Sequence, residues 1–382
     1  MRRLLFLIAD TGGGHRAAAT AVDRQMADTA PGQFEITILD PFSAARQRLI
    51  AGTADLYGPI TRYARWLWGG LYHATNNRPA VRLLEATVLR TVTGAVADAI
   101  QRLDPDCVVS FHPLLNHVSV RAVRGHTRSV PVITVITDLV DIHAAWVCPD
   151  VDAVVVPSPG GFERCRRAGI AASRCHDLGL AVDRRFTNLP SDPAERSALR
   201  RRLGLRPESF VVLVCSGADG SGGIVRNARA IAASGIDLDL VVICGRNQRA
   251  RKALSGLRTG GGREARVLGY VTDMPDWMRA SDVVVTKAGP GTIAESLCCG
   301  LPLLLVWYLP GQERGNVEWV VDIGAGRYVP HVTQLVDAVA ELAVPGSETL
   351  AAMRAAVRAA ARPDATRRIA GLIASMAAGA RG

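Results

Sequence analysis

Short runs of consecutive apolar residues alternate along almost the whole chain with longer stretches of helical spacing. Runs of this length between turn residues read as strands buried on both faces, and their alternation with helices predicts parallel sheets covered by helices. In the first half the predicted strands are Leu4–Ala9, Glu35–Leu39, Cys107–Phe111, Val132–Ile136 and Ala153–Val156, with a helix over Arg16–Asp28. Residues 43–100 read as largely helical, interrupted near Gly58-Pro59 and Asn76–Pro79. At Asn188–Pro193 the text turns to Asn, Pro, Ser and Asp, a linker composition. The same grammar then restarts with Phe210–Cys215, Leu238–Cys244, Arg266–Leu268, Val283–Val285 and Leu303–Val306. An Ala/Arg-rich helical tail, Glu348–Arg362 and Ala365–Met376, breaks at Pro363. The expectation is an α/β chain of two doubly wound domains, with a ligand cleft between the carboxyl ends of their sheets.

Composition narrows this picture. A length of 382 residues with 48% hydrophobic content suits two globular domains. The formal charge of +10 is spread along the chain, without the compact stripe expected of a nucleic-acid binder, so none is expected as partner. One local excess stands out. Between Phe42 and Arg90, seven arginines face only Asp55 and Glu85, and Tyr57, Tyr63, Trp66, Trp68 and Tyr72 share the segment. A basic aromatic surface suits an anionic membrane. The eight cysteines form no C-x-x-C pair and no zinc spacing, which reads as free thiols in a reducing cytosol. Arg2-Arg3 followed by six apolar residues mimics a signal peptide, but the run stops at Asp10 before a Gly-rich turn and reads better as a first strand. No apolar run approaches 18 residues.

The candidate chemistry sits in turns that follow strands. In Val285–Glu295 an apolar run ends at Lys287, Gly289-Pro290-Gly291 turns, and a helix is expected to open at Thr292. Unpaired main-chain N–H groups, a helix start and one cation then converge where an anion binds, here read as a nucleoside diphosphate. Lys287 is one of only two lysines, arginine supplying the other 43 basic residues. Glu295 is placed either to close a capping box or to reach a ligand hydroxyl. Asp10–His15 carries three glycines and places His15 at a helix start, as a general base for a hydroxyl or as a helix cap. Ser216–Gly223, including Gly217, suits phosphate or a sugar; Arg246 and Asn247 suit a base or phosphate. Gln312, Glu313 and Asn316 offer the donors and acceptors that polyhydroxyl recognition needs. Asn116 and Asp138 follow strands and are placed to line the cleft, whereas Asp104-Pro105-Asp106 and Asp237-Leu238-Asp239 precede strands and read as structural. His112, His117 and His143 read either way.

Ala9–Arg16, Thr286–Glu295 and Pro310–Glu313 together resemble the monogalactosyldiacylglycerol synthase group of glycosyltransferase family 28, which includes the bacterial processive diacylglycerol glucosyltransferases. Tyr57-Gly58-Pro59, Tyr72–Asn76, Thr134–Leu139 and Gly269–Met274 extend the similarity over about residues 1–330. The resemblance implies a GT-B fold, a UDP-sugar donor on the second domain, a lipid acceptor at the first, and inversion without a tightly bound metal or other cofactor. It also implies His15 as the base, with Gly13 and Gly14 beside the acceptor. Lys287 and Gly289–Thr292 would hold the diphosphate and Glu295 the ribose. Arg246, Asn247, Tyr270 and Val271 would flank the uracil, and Gln312 with Glu313 the sugar. Ala181 departs from the family's usual proline in Gly179–Asp183, with Arg184 as a displaced basic residue. The implied domains are 1–187 for the acceptor, 188–362 for the donor, and a helix from 363 to 382 returning to the first. The expected activity is hexose transfer (galactose or glucose) to diacylglycerol by a cytoplasmic enzyme on the inner face of the cell membrane, docked through Trp66, Trp68 and Tyr72. The alternatives are a transferase for another lipid, such as a polyprenyl-linked peptidoglycan intermediate, and a non-catalytic UDP-sugar sensor.

Overall fold

The computed structural model describes residues 1–10, 13–46, 65–87, 89–126, 128–188, 192–217 and 223–379, with side chains of 44–46, 65–68 and 71 left out. Twelve strands are present among these: β1 (Arg2–Leu7), β2 (Phe34–Leu39), β3 (Cys107–Ser110), β4 (Val132–Val135), β5 (Ala153–Val156), β6 (Cys175–Asp177), β7 (Phe210–Cys215), β8 (Leu238–Ile243), β9 (Arg266–Leu268), β10 (Val283–Lys287), β11 (Leu303–Trp307) and β12 (Gly326–Tyr328). They form two parallel six-stranded sheets, ordered β2-β1-β3-β4-β5-β6 and β12-β11-β10-β7-β8-β9. Inner strands such as β3 (CVVS), β5 (AVVV) and β8 (LDLVVI) are buried at every position, as continuous apolar runs covered on both faces should be. Edge strand β2 is only half-buried. The edge strands β6 and β12 carry no apolar run, and their three residues each leave no pattern to read.

Two compact units result. Unit 1 comprises Met1–Arg184, Leu309–Gln312 and Pro363–Gly382; unit 2 comprises Arg185–Tyr308 and Glu313–Arg362. In unit 1 the helix Gly14–Thr29 buries Ala18, Ala19, Val22 and Met26 in the same core as Ile369, Ala370, Ile373 and Ala377 of the terminal helix Ala365–Gly379. Thr366 fixes that helix by donating its hydroxyl to the Val182 carbonyl at 2.6 Å and accepting from the Val182 amide at 2.8 Å. All eight cysteines are free and buried. Among the described residues no helix is long and apolar enough to cross a membrane.

Both Asp-x-Asp pairs sit at strand starts and are spent on arginine. Asp104, held at φ 43°, meets Arg3 at 2.6 Å and Arg128 at 2.8 Å, and Asp106 accepts from the Arg3 amide. Arg206 bridges Asp237 and Asp239. A larger cluster lies at the amino end of β10. The buried Asp282 carboxylate takes Arg200 at 2.7 Å, Arg196 at 2.9 Å, Arg354 at 2.6 Å and the Val211 amide at 2.8 Å. Burial alone would raise its pKa, but the neighbouring Arg196 and Arg200 charges hold it below the usual carboxylate range. Arg200 donates its remaining N–H groups to the carbonyls of Ala280, Pro207 and Ser209. One carboxylate thus ties the helices Pro193–Arg202 and Glu348–Ala360 to the sheet. Replacing Asp282 by Ala leaves these cations facing one another and should cost about 3–5 kcal/mol in a denaturant melt. Arg354→Ala, which removes a partly exposed partner, should cost about 1 kcal/mol or less.

Candidate functional site

In unit 2 the sheet order reverses between β10 and β7, so the turns after these two strands open side by side. Their closeness is measurable: a Cβ built on Gly217 would lie 3.9 Å from Lys287 Cε, and one on Gly289 3.3 Å from Lys287 Nζ. Gly217 itself has φ +66°, a left-handed conformation that other residues rarely adopt. Residues 218–222 of the Ser216–Gly223 turn lie outside the described residues.

The helix after β10 corrects one expectation. It runs Pro290–Cys298 with Gly289 as N-cap, so it opens two residues before Thr292. Pro290 takes the first helical position, where its missing N–H costs nothing. Thr292 is therefore inside the helix, and Glu295 closes no capping box. No side chain caps the start. The amides at Gly291 and Thr292 have no intrahelical partner by helix geometry and stand at the positive end of the helix dipole. Glu295 is half-buried, close enough to Cys215, Cys298 and Cys299 to raise their thiols, after burial as the first cause.

Lys287 is paired with the buried carboxylate of Glu313. Glu313 precedes the helix Arg314–Asp322, which also carries Asn316. The Asn316 amide donates to the Ala288 carbonyl at 2.9 Å, while its buried Oδ1 meets no partner among the described residues. Three of the predicted donor residues are thus brought together around the β10 turn. At the other edge Arg246 lies 5.7 Å over the exposed Tyr270 ring, with half-buried Val271 next to it. Asn247 spends its side-chain oxygen on the Ala250 amide as a helix cap. Gln312 is counted with unit 1, where its amide donates to Asp138 at 3.2 Å.

In unit 1 the corresponding reversal falls at β1, between β2 and β3. The helix after β1 begins at Gly14 with Gly13 as N-cap at φ 82°, so His15 occupies its first turn. Its ring does not cap the helix. Instead Nδ1 lies 2.9 Å from the Thr137 hydroxyl, and the ring packs against His112 at 4.8 Å and Trp146 at 6.2 Å. Burial pushes its pKa down to about 4, opposed by the Phe111 carbonyl. His15 is a neutral imidazole at neutral pH, the form in which a histidine accepts a proton. Gly13 and Gly14 are exposed and nothing lies within 4 Å of a Cβ built on either. Thr11 and Gly12 are outside the described residues.

Other expected contacts turn out to be structural supports. Asn116 is fully buried; it accepts from Thr134 at 3.0 Å and donates to the carbonyls of Pro113, Ala145 and Trp146, which leaves it no face for an acceptor. Asp138 is buried and accepts from the Trp146 indole at 2.7 Å. Tyr72, expected at a membrane, is buried instead. Its hydroxyl donates to the Asp141 carbonyl at 3.0 Å, and the ring meets His143 at 4.8 Å. The side chains of Trp66 and Trp68, and Tyr57-Gly58-Pro59, lie outside the described residues. His112 and His143 accept from the amides of Leu114 and Ala145 as caps, and His117 pairs with buried Glu85 at 3.0 Å. Arg184 pairs with Asp28 at 3.1 Å. Thr137 and Trp146 carry no local signal of their place beside His15, although Thr137 belongs to the Thr134–Leu139 motif. Among the described residues no cluster of His, Cys, Asp or Glu is arranged to hold a metal.

Known proteins are similar to this chain. The profile described as "Monogalactosyldiacylglycerol (MGDG) synthase" matches residues 15–182, and "Glycosyltransferase family 28 C-terminal domain" matches residues 211–369. Monogalactosyldiacylglycerol synthase 1, chloroplastic, of Arabidopsis thaliana is 32% identical over 377 residues, covering 96% of this chain and 70% of that protein. The chain belongs to the monogalactosyldiacylglycerol synthase family. The spinach synthase is 31% identical over 377 residues, covering 96% of this chain and 71% of that protein. Among solved structures, Acinetobacter baumannii MurG superposes with a TM-score of 0.63 at 16% identity, covering 98% of this chain and 100% of that one. The two parallel sheets are those of a GT-B glycosyltransferase. The synthase match begins at His15 itself, and the family 28 match takes in β7 from its second residue and all of β10.

The buried neutral histidine makes stability depend on acidity in a calculable direction. With a folded pKa of about 4 against an unfolded value of 6.5, the unfolded chain binds more protons throughout that window. Stability should therefore fall as pH is lowered from 6.5 toward 4. In thermal melts His15→Gln should flatten part of that slope while leaving the neutral-pH melting temperature close to wild type.

Proposed function

We propose that this chain transfers a hexose from a UDP-hexose to the free hydroxyl of diacylglycerol with inversion at the anomeric carbon. The carrying observation is the uncapped helix start at Gly289–Thr292, beside Lys287 and Gly217 at the sheet reversal of unit 2. Departure of UDP concentrates negative charge on the diphosphate, and fixed amides aimed at developing charge are the cheapest way to stabilise it. Lys287 adds a compact cation whose position Glu313 sets. Family membership supports the same donor class and acceptor.

His15 supplies the other half of the reaction. As a neutral ring it takes the proton of the acceptor hydroxyl while that oxygen attacks the anomeric carbon. The carbon–oxygen bond to the diphosphate then breaks, and its electron pair leaves with UDP. Arg246 and Tyr270 offer a cation and an exposed aromatic face suited to a uracil ring, Glu295 suits the ribose, and the Glu313–Asn316 side chains suit the sugar. We further place the enzyme peripherally on the inner face of the cell membrane, through the basic segment that holds Trp66 and Trp68.

The deciding experiment incubates the protein with diacylglycerol vesicles and a panel of UDP-sugars, read by lipid mass spectrometry. Glycosylated diacylglycerol should appear with UDP-galactose or UDP-glucose; no product from any sugar overturns the reading. His15→Ala should lower kcat by about 10²–10⁴-fold while UDP affinity stays unchanged, whereas a UDP-sugar sensor would lose nothing. Sedimentation with anionic vesicles should weaken in high salt and in Trp66→Ala/Trp68→Ala, and indifference to both would remove the membrane assignment.

A further inference from the structure

A histidine that serves as base at one nitrogen needs its other nitrogen fixed, because the neutral ring has two tautomers and only one leaves the working atom free. A carboxylate commonly does this fixing. Here the nearby acids are engaged elsewhere. Asp10 holds Arg16 through both oxygens at 2.7 Å, Asp40 accepts from the amides of Asp10 and Phe42, and Asp138 accepts from Trp146 and Gln312. His112, the nearest other ring, spends its Nδ1 on the Leu114 amide. Among the described residues Thr137 is hydrogen-bonded to the His15 ring, with Oγ1 2.9 Å from Nδ1, and it is itself buried.

We infer that Thr137 is the positioning residue of the transfer reaction: its hydroxyl oxygen accepts a hydrogen bond from the Nδ1–H of His15 and so leaves Nε2 bare to receive the acceptor's proton. The inference rests on the proposed function for its chemistry, though not for its geometry. The Phe111 carbonyl, from the end of the strand that pairs with β4, also interacts with the ring. A neutral hydroxyl also differs from a carboxylate in a useful way. It orients the ring without adding negative charge, which is consistent with a ring that stays unprotonated well below neutrality. In the transfer step Thr137 gains and loses nothing. The acceptor O–H proton moves to Nε2, the acceptor oxygen bonds to the anomeric carbon, and UDP leaves with the electron pair of the broken bond.

Two measurements test this. In protein carrying ¹⁵N-labelled histidine, the wild-type His15 resonances should show a protonated Nδ1 and an unprotonated Nε2, without substrate present. Thr137→Val should mix the tautomers, lower kcat by about 10-fold or more, and leave KM for the UDP-sugar unchanged. Thr137→Ser, which keeps the oxygen, should recover most of kcat and the wild-type resonances. An Nε2-protonated ring in the wild type, or a Thr137→Val enzyme with wild-type kcat, overturns the inference. The resonance test stands alone if Thr137→Val fails to fold. Absence of glycolipid from the wild type would sink the function while leaving the tautomer result in force.

Discussion

A parallel sheet sends every strand-to-helix turn out at the same edge, and where the strand order reverses two of those turns part and leave a crevice. This constraint governs both units. In unit 2 it sets the Gly217 turn beside Lys287, and in unit 1 it sets His15 beside the residues that end β3 and β4. Positive φ at Gly13 and Gly217, which a side chain would make costly, supplies the bend at these turns. Amide groups that a sheet or helix interior would have consumed are left pointing outward.

The supports beneath the crevices are polar and buried, and arginine dominates them. Asp282, Asp106 and Glu85 each hold at least one guanidinium, whose planar fork reaches one or more carbonyls as well as the carboxylate. Lys287 departs from that habit. An ammonium has no fixed fork and sits as a point charge, so the buried Glu313 carboxylate can anchor it from one side and leave its other donors open. Trp146, Asn116 and Tyr72 play a quieter part. They pin the 138–147 segment by hydrogen bonds to Asp138, to the carbonyls of Ala145 and Trp146, and to the Asp141 carbonyl.

Much of this was legible in the text of the chain, for identifiable reasons. Strands such as β5 and β7 are continuous apolar runs closed by turn residues, and burial on both faces allows few other sequences there. The edge strands Cys175–Asp177 and Gly326–Tyr328 escaped because a short strand paired on one side needs no apolar run. The helix starts at Pro290 and not at Thr292, which imitates a cap, because proline at the first helical position is the stronger signal. Composition places Tyr72 at the surface; its burial accompanies a hydroxyl bond to the Asp141 carbonyl, 69 positions away. Contacts between distant positions were the blind spot in general. Nothing local in Thr137 announces His15, and nothing near Lys287 announces Glu313.

The eight reduced, enclosed cysteines have a practical corollary. They are distributed over both cores, from Cys107 in β3 to Cys298 and Cys299 after β10, and burial raises most of their thiols. An alkylating reagent reaches such a sulfur only during a transient breathing of the surrounding layer. Peptide-resolved alkylation kinetics on the unmodified chain would then rank the opening frequencies of each unit separately, with no label introduced.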